Sequence, residues 1–238
     1  MNESPLRTLM LAVALIASAA LIGRGLERFR AADRAVNVKG VAERDVKADV
    51  GIWPIRFVAT DDVLDRAQSK IEGDRRRVIA FLESRGIDSA RTSLQGLEVT
   101  DAQANPYQSG PVRSRFIVAM TVVVRTGDVE RVQAASQAVG ELVSAGVVIS
   151  SGPFGGGPTY LFTRLNDYKP QMLAEATASA RKAAEEFARA SKSSVGGIRR
   201  ASQGVFEILP RDQAPGIQQE GQIEKTLRVV ATMDFALQ

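Results

Sequence analysis

Glu43, Asp45 and Asp49 stand close together near the start of the patterned part of the chain. Carboxylates so spaced can gather a hard cation through oxygen, or divide acid and base roles between them. If one strand carries both, the even spacing of Asp45 and Asp49 puts them on one side of it. A metal site needs convergent ligands on a dedicated loop, and none is evident here. Exposed charges that block unwanted pairing at a strand edge are the simpler reading. Gly152–Pro158 has the glycine content of a phosphate cradle. It lacks Gly-Lys followed by Ser or Thr, and its two prolines remove amide donors where a cradle wants them. It reads as a structural turn or a partner-contact loop. Ser150, Ser151, Ser191, Ser193 and Ser194 show no nucleophile-elbow pattern. Asp167, in Asn166-Asp167-Tyr168, suits a helix N-cap. Trp53, the sole tryptophan, fits either a buried place beside a bulge or an exposed binding anchor.

What is missing narrows the chemistry further. The chain has no histidine and no cysteine. That removes Ser-His-Asp and Cys-His catalysis, histidine-ligated zinc, thiolate nucleophiles and disulfide staples. No catalytic, cofactor-binding or metal-binding residue is assigned from the sequence, and no cofactor is expected. The net charge is +4 across 238 residues, with half of it supplied by residues 1–30. A nucleic-acid binder needs clustered cations. The densest run, Arg75-Arg76-Arg77, would splay around a helix, so no nucleic-acid partner is expected.

Thr8–Gly23 is an uncharged run between Arg7 and Arg24. As a helix it would reach about 24 Å, against a hydrocarbon core of roughly 30 Å. It is also slightly long for the apolar core of a signal peptide. Ala17-Ser18-Ala19 fits a cleavage pattern, while Leu21 and Ile22 extend the apolar stretch past it. Arg24, Arg28, Arg30 and Arg34 form a basic flank that the positive-inside rule would hold in the cytoplasm. Three outcomes stay open: an uncleaved anchor with the domain in the periplasm, a cleaved signal with secretion to the periplasm, or a cytoplasmic domain. The first is preferred, with residues 1–35 as anchor or signal segment plus basic juxtamembrane stretch.

The elements that must position any site follow from periodicity. Val36–Val41 alternates as a strand. Val46–Thr60 is a second, with a phase shift near Trp53-Pro54 that marks an edge or a bulge. Asp61–Ser84 repeats at helical spacing, capped by Asp61 or Asp62 and stopped at Arg85-Gly86. Thr92–Asp101 and Arg113–Arg125 form a hairpin around the polar turn 102–111. The second of these strands is apolar on both faces and so should be central. Asp128–Ala145 is a helix capped by Asp128. Tyr168–Ser191 is an alanine-rich helix whose face carries Leu173, Ala176, Ala180, Ala184 and Phe187. Val147–Ser150, Thr159–Leu165 and Ser194–Leu209 are extended, and Leu227–Leu237 closes as an alternating strand. The fold class is α+β: a mixed or antiparallel sheet packed by about three helices, after an N-terminal hydrophobic helix. Residues 46–150 read as a split β-α-β unit. Residues 36–238 are one domain or two intimate subdomains.

This order, with several segments, resembles the SIMPL-domain family of bacterial envelope proteins. The landmarks are Val36-Asn37-Val38-Lys39-Gly40 with Glu43, then Leu82-Glu83-Ser84-Arg85-Gly86-Ile87 with Thr92 and Leu94. The Pro106-Tyr107 region, the alanines of Ala174–Ala190 and the final strand complete it. Lys39–Asp49 and Gln203–Asp212 look most similar to a membrane-anchored branch. The resemblance implies an α+β fold, an envelope location and a tendency to oligomerise, with links in some relatives to oxidative-stress tolerance. It carries over no catalytic residues. The expectation is a non-enzymatic envelope protein, tethered through Thr8–Gly23 in membrane lipid and acting by homo-oligomerisation or by binding an unknown envelope protein. A carboxylate-based envelope hydrolase and a small-ligand-binding module are the alternatives.

Overall fold

A computed structural model of the chain describes residues 14–16, 18–19, 34–104, 113–151, 156–212, 214–216 and 218–238. Most of the Thr8–Gly23 run, the basic flank before Arg34, and most of the 102–111 and 152–158 loops lie outside the described residues. Residues 14–16 and 18–19 are helical. Among the described residues, no helix is long and apolar enough to cross a membrane.

The chain is α+β. Its strands are β1 (Ala35–Lys47), β2 (Val50–Asp61), β3 (Thr92–Asp101), β4 (Phe116–Thr126), β5 (Val148–Ile149), β6 (Thr159–Leu161), β7 (Val195–Gln203), β8 (Glu207–Pro210) and β9 (Glu224–Leu237). Its helices are α1 (Leu64–Ser84), α2 (Val129–Gln137), α3 (Gly140–Ser144) and α4 (Leu165–Ala190). One sheet has the order β1-β9-β7 with β8 also on β9; the other has the order β3-β4-β2-β5 with β6 also on β2. Contacts divide the chain into two units: Met1–Arg44 with Asn166–Glu207 and Arg228–Gln238, and Asp45–Leu165 with Ile208–Leu227.

In the first unit α4 buries a row at every fourth position: Met172, Ala176, Ala180, Ala184 and Ala188. Residues four apart stack on one face, and alanine keeps that face thin. Gly40 of β1 meets this face so closely that an added Cβ would lie 1.9 Å from the Ala176 carbonyl oxygen. The alanines therefore pack within the fold. Phe187, expected on that face, is 60% exposed. The row advances by four residues, and Phe187 falls one position short of Ala188. Nor does Asp167 cap this helix, because helical geometry already begins at Leu165. Asp167 lies in the first turn instead, where negative charge suits the helix dipole. β9 pairs antiparallel with β7, Gln203 facing Ala231 and Val195 facing Leu237. Its inward residues Val229, Ala231, Met233 and Phe235 are buried, as alternation requires.

The second unit holds the split β-α-β unit. β4 pairs antiparallel with β2 on one side and β3 on the other, so β2 and β3 run parallel around it. β4 is central, as its two apolar faces required. α1 lies over β2 and β4. Its Ile71, Val78 and Leu82 join Trp53, Ile55 and Phe57 of β2 and Val118, Met120, Val122 and Val124 of β4 in one core. Each such side chain, fully buried, contributes about 1.5–3 kcal/mol. Trp53 is therefore a core residue, 1% exposed, and not a binding anchor.

Three local expectations are corrected. The phase shift lies at the bend between β1 and β2: Val46 and Ala48 are buried, then Gly51, Trp53, Ile55 and Phe57. Pro54 makes no bulge, since its register opposite Val123 is continuous. On the far side of β2, β6 reaches residues 50–52 and β5 residues 57–58. Pro54 falls in the gap, where no strand asks for its missing donor. Neither Asp61 nor Asp62 caps α1, whose N-cap is Val63 with no side-chain bond. Asp61 is still in the β2 ladder opposite Phe116. Its carboxylate accepts from the Val63 amide at 3.0 Å and pairs with Arg66. Finally, the helix expected over Asp128–Ala145 is two helices. Asp128 does cap the first, accepting from the Arg131 amide. The ladder tightens to i→i+3 bonds from Ala138 to Leu142, around Val139 and Gly140, both weak helix formers.

Candidate functional site

The three carboxylates singled out by spacing do not converge. Glu43 pairs with Arg228 at 3.4 Å. Asp45 accepts from the Thr226 hydroxyl at 2.7 Å. Asp49 accepts from the Thr163 amide at 2.9 Å and from its hydroxyl at 3.1 Å. Asp49 lies past the end of β1, so it shares no strand face with Asp45. Each carboxylate fixes a different piece of backbone or strand. Among the described residues, no group of three or more acidic side chains is placed to hold a metal ion.

A different polar cleft forms in the second unit, where the end of β1 meets α2 and the chain leading into β9. Lys47, Glu130, Gln133, Asp212, Gln222 and Glu224 line a cavity of about 300 Å³. The Lys47 ammonium lies 2.9 Å from Glu130 and 3.8 Å from Glu224. Its hydrogen bond to Glu130, with the charge of both carboxylates, raises its pKa above the ordinary lysine value. Arg211 pairs with Glu224 at 3.7 Å and with Asp212 at 3.8 Å. General acid catalysis by a carboxyl needs apolar or like-charged surroundings that hold its proton. This cleft is open and supplies cations instead. It can seat a small polar molecule by hydrogen bonds.

A second groove runs beside the start of α2. Arg91, Thr126, Gly127, Asp128, Val129 and Glu130 line its larger part, about 550 Å³. Asp128 and Arg131 are both engaged there: they pair with each other at 2.8 Å, and Arg131 donates to the Gly86 carbonyl at 2.9 Å. These residues hold the end of α1 against α2.

Three buried polar side chains escaped the sequence reading. Asp74 is fully buried on the apolar stripe of α1 and accepts from Lys70 at 3.0 Å and Arg77 at 2.7 Å. The signal was its place midway between Ile71 and Val78. Lys225 is fully buried, and its ammonium donates to the Gln219 carbonyl at 2.6 Å. Burial pushes its pKa down, with Glu220 pulling the other way. It shares the inward parity of Leu227 and Val229, which was the signal available. The Tyr160 hydroxyl is buried without a well-formed hydrogen bond. Burial raises its pKa, and Ser136 nearby opposes that.

The outer strand of this unit's sheet carries an exposed apolar row. Leu94, Leu97 and Val99 of β3 are 57%, 53% and 47% exposed. They stand opposite Val122, Met120 and Val118 of β4, so all three point to the face covered elsewhere by α1. Gly96, at φ 70°, makes the bulge that brings Leu94 and Leu97 onto one face. Beside them a cavity of about 280 Å³ is lined by Arg75, Ile79, Leu94 and Val122.

These features define a two-sheet α+β protein containing a split β-α-β unit, with polar clefts and an exposed apolar strand face among the described residues. A family model described as SIMPL, protein of unknown function (DUF541), matches residues 36–235, and the chain belongs to that family. No curated protein matches the sequence.

Proposed function

We propose that this chain is a membrane-tethered cell-envelope protein whose SIMPL domain acts by binding, through self-association or an envelope protein partner, in envelope or oxidative-stress tolerance. The observation that carries the tether is the uncharged Thr8–Gly23 run ahead of a family domain that begins at residue 36. Arg24, Arg28, Arg30 and Arg34 then meet anionic lipid headgroups on whichever side holds them. Support for binding comes from the exposed apolar row on β3, set against carboxylates that each serve a fold contact.

The test is fractionation of cells expressing the chain with a reporter fused after Gln238, active only outside the cytoplasm. The reading expects the full-length product in the membrane pellet, released by detergent and not by salt, with the reporter active. Recovery in the aqueous extract, or a silent reporter alongside an active cytoplasmic control, overturns it.

A further inference from the structure

We propose that the Gln219–Gly221 turn is a proton-operated flap over the Lys225 amine. It is closed while that amine is neutral and opens when the amine takes up a proton, and opening withdraws Gly221 and Gln222 from the wall of the Lys47 cleft.

The turn is held only weakly by its own backbone. Gln219–Gly221 is a single 3₁₀ turn, and its N-cap residue, Gln218, makes no side-chain bond to it. The Gly221 amide reaches the Gln218 carbonyl at 3.2 Å, and the Gln222 amide reaches the Gln219 carbonyl at 3.3 Å. A shorter bond comes from inside: the Lys225 side-chain nitrogen donates to the Gln219 carbonyl at 2.6 Å. Lys225 is fully buried, whereas Glu220 and Gly221 are exposed, so the amine lies directly under a surface turn. A lysine ammonium has three N–H donors to place. Among the described residues the Gln219 carbonyl receives one of them. That one bond serves a neutral amine; it leaves an ammonium poorly compensated for the water it has lost. Burial accordingly pushes the Lys225 pKa down. Lifting the turn hydrates the ammonium and restores its ordinary value. The closed state therefore prefers the neutral amine and the open state the charged one, which ties opening to proton uptake.

The charges around the turn set how readily it opens. Glu220, on the turn itself, attracts the ammonium and so resists opening. Tyr160 of β6, which packs against the turn, keeps its proton beyond the ordinary phenol range because burial raises its pKa. Glu224 alternates to the other side of β9, where it meets Lys47 and Arg211. Asp45 of β1 is taken by the Thr226 hydroxyl, and Glu207 of β8 is exposed. Gly221 and Gln222 line the cleft beside Lys47, Glu130 and Gln133. The Gln222 side chain ties this wall to Asp212, donating to its carbonyl at 2.9 Å. A small molecule that needs the closed wall therefore competes with the proton, since coupling between two sites is reciprocal.

The chain lacks cysteine, so one introduced thiol carries one label. Gly221→Cys suits the flap because nothing lies within 4 Å of an added Cβ there. The full chain in detergent, with a trifluoromethyl group on that thiol, is followed by fluorine NMR from about pH 6 to about 10, toward the ordinary lysine value. The label should report two environments, resolved or averaged. Their open-to-closed ratio should fall tenfold per pH unit above the lowered pKa of Lys225, as linkage to one proton requires. The same label on Lys182→Cys, exposed on α4, supplies the baseline. Adding Lys225→Met should leave the closed signal at every pH. Adding Glu220→Gln, at an exposed position, should start the fall at lower pH, because Glu220 raises the proton affinity of the amine. Circular dichroism checks that each variant folds; should Lys225→Met not fold, Glu220→Gln carries the test. A label that follows the baseline at every pH, a response that survives Lys225→Met, or a fall that Glu220→Gln leaves in place or moves to higher pH overturns the flap.

Discussion

Gly40→Ala tests the close seating of β1 on α4 in the first unit. The added methyl carbon would sit 1.9 Å from the Ala176 carbonyl oxygen, 2.5 Å from the Ala180 nitrogen and 2.8 Å from the Ala180 methyl. Cβ contacts under 3.0 Å essentially do not occur, so α4 or β1 must move by about 1.1 Å. Two of the three atoms are helix backbone and cannot rotate away. Overpacking a core costs about 1–3 kcal/mol, and a backbone obstacle places this change at about 3 kcal/mol. In a domain of this size each kcal/mol moves the midpoint by about 2–4 °C, so melting should fall by about 6–12 °C. Gly73→Ala is the internal control. It lies inside α1 with nothing within 4 Å of an added Cβ. There the same chemical change should stabilise by about 0.5–1 kcal/mol through helix propensity. Thermal melts of both variants, followed by circular dichroism, read the two signs. A Gly40→Ala protein melting within about 2 °C of the parent would refute the seating of α4 on β1.

Replacing Lys70 and Arg77 together by methionine leaves the buried Asp74 carboxylate unpaired. Urea unfolding should then show a loss of about 3–5 kcal/mol. Arg75→Ala, which breaks only the surface pair with Glu72, should cost no more than about 1 kcal/mol. Tyr160→Phe removes a buried hydroxyl that lacks a well-formed partner; stability should stay level or rise by about 1 kcal/mol, again by urea titration. Lys225 has its pKa lowered in the fold, so the unfolded chain binds its proton more readily. Stability should accordingly rise as pH climbs from the folded pKa of Lys225 toward about 10, and Lys225→Met should flatten that rise. The window stops near 10 because the raised pKa values of Tyr160 and Lys47 remove stability beyond their unfolded values.

Periodicity carried much of this fold, since burial on one face must repeat with the backbone that bears it. The alternation of β9, the doubly apolar β4 and the stripe of α1 are read directly from residue types. So was the split β-α-β unit, because a central strand covered on both sides leaves few arrangements. Proximity was less legible. The Asp45–Asp49 spacing suggested one face, but a bend after Lys47 separates them, and a bend has no period to detect. Lys225 and Asp74 broke the apolar pattern at inward positions, and type alone argued for the surface. The Lys47 cleft joins residues from distant stretches of chain, which no local window connects.

The sequence by itself determined the chemistry open to this protein. Without histidine or cysteine, the usual proton carriers and thiolates are gone whatever the chain folds into. It also determined the family, since ordered landmarks survive without coordinates. Only the tertiary structure decided what each polar group is used for. Hydrogen-bond partners are chosen by packing between strands and helices far apart in the chain, and those choices bind Glu43, Asp45 and Asp49 to separate structural tasks. It likewise decided which apolar residues stay outside. Leu94, Leu97 and Val99 have the composition of a core, and they face solvent on a strand that, among the described residues, ends its sheet.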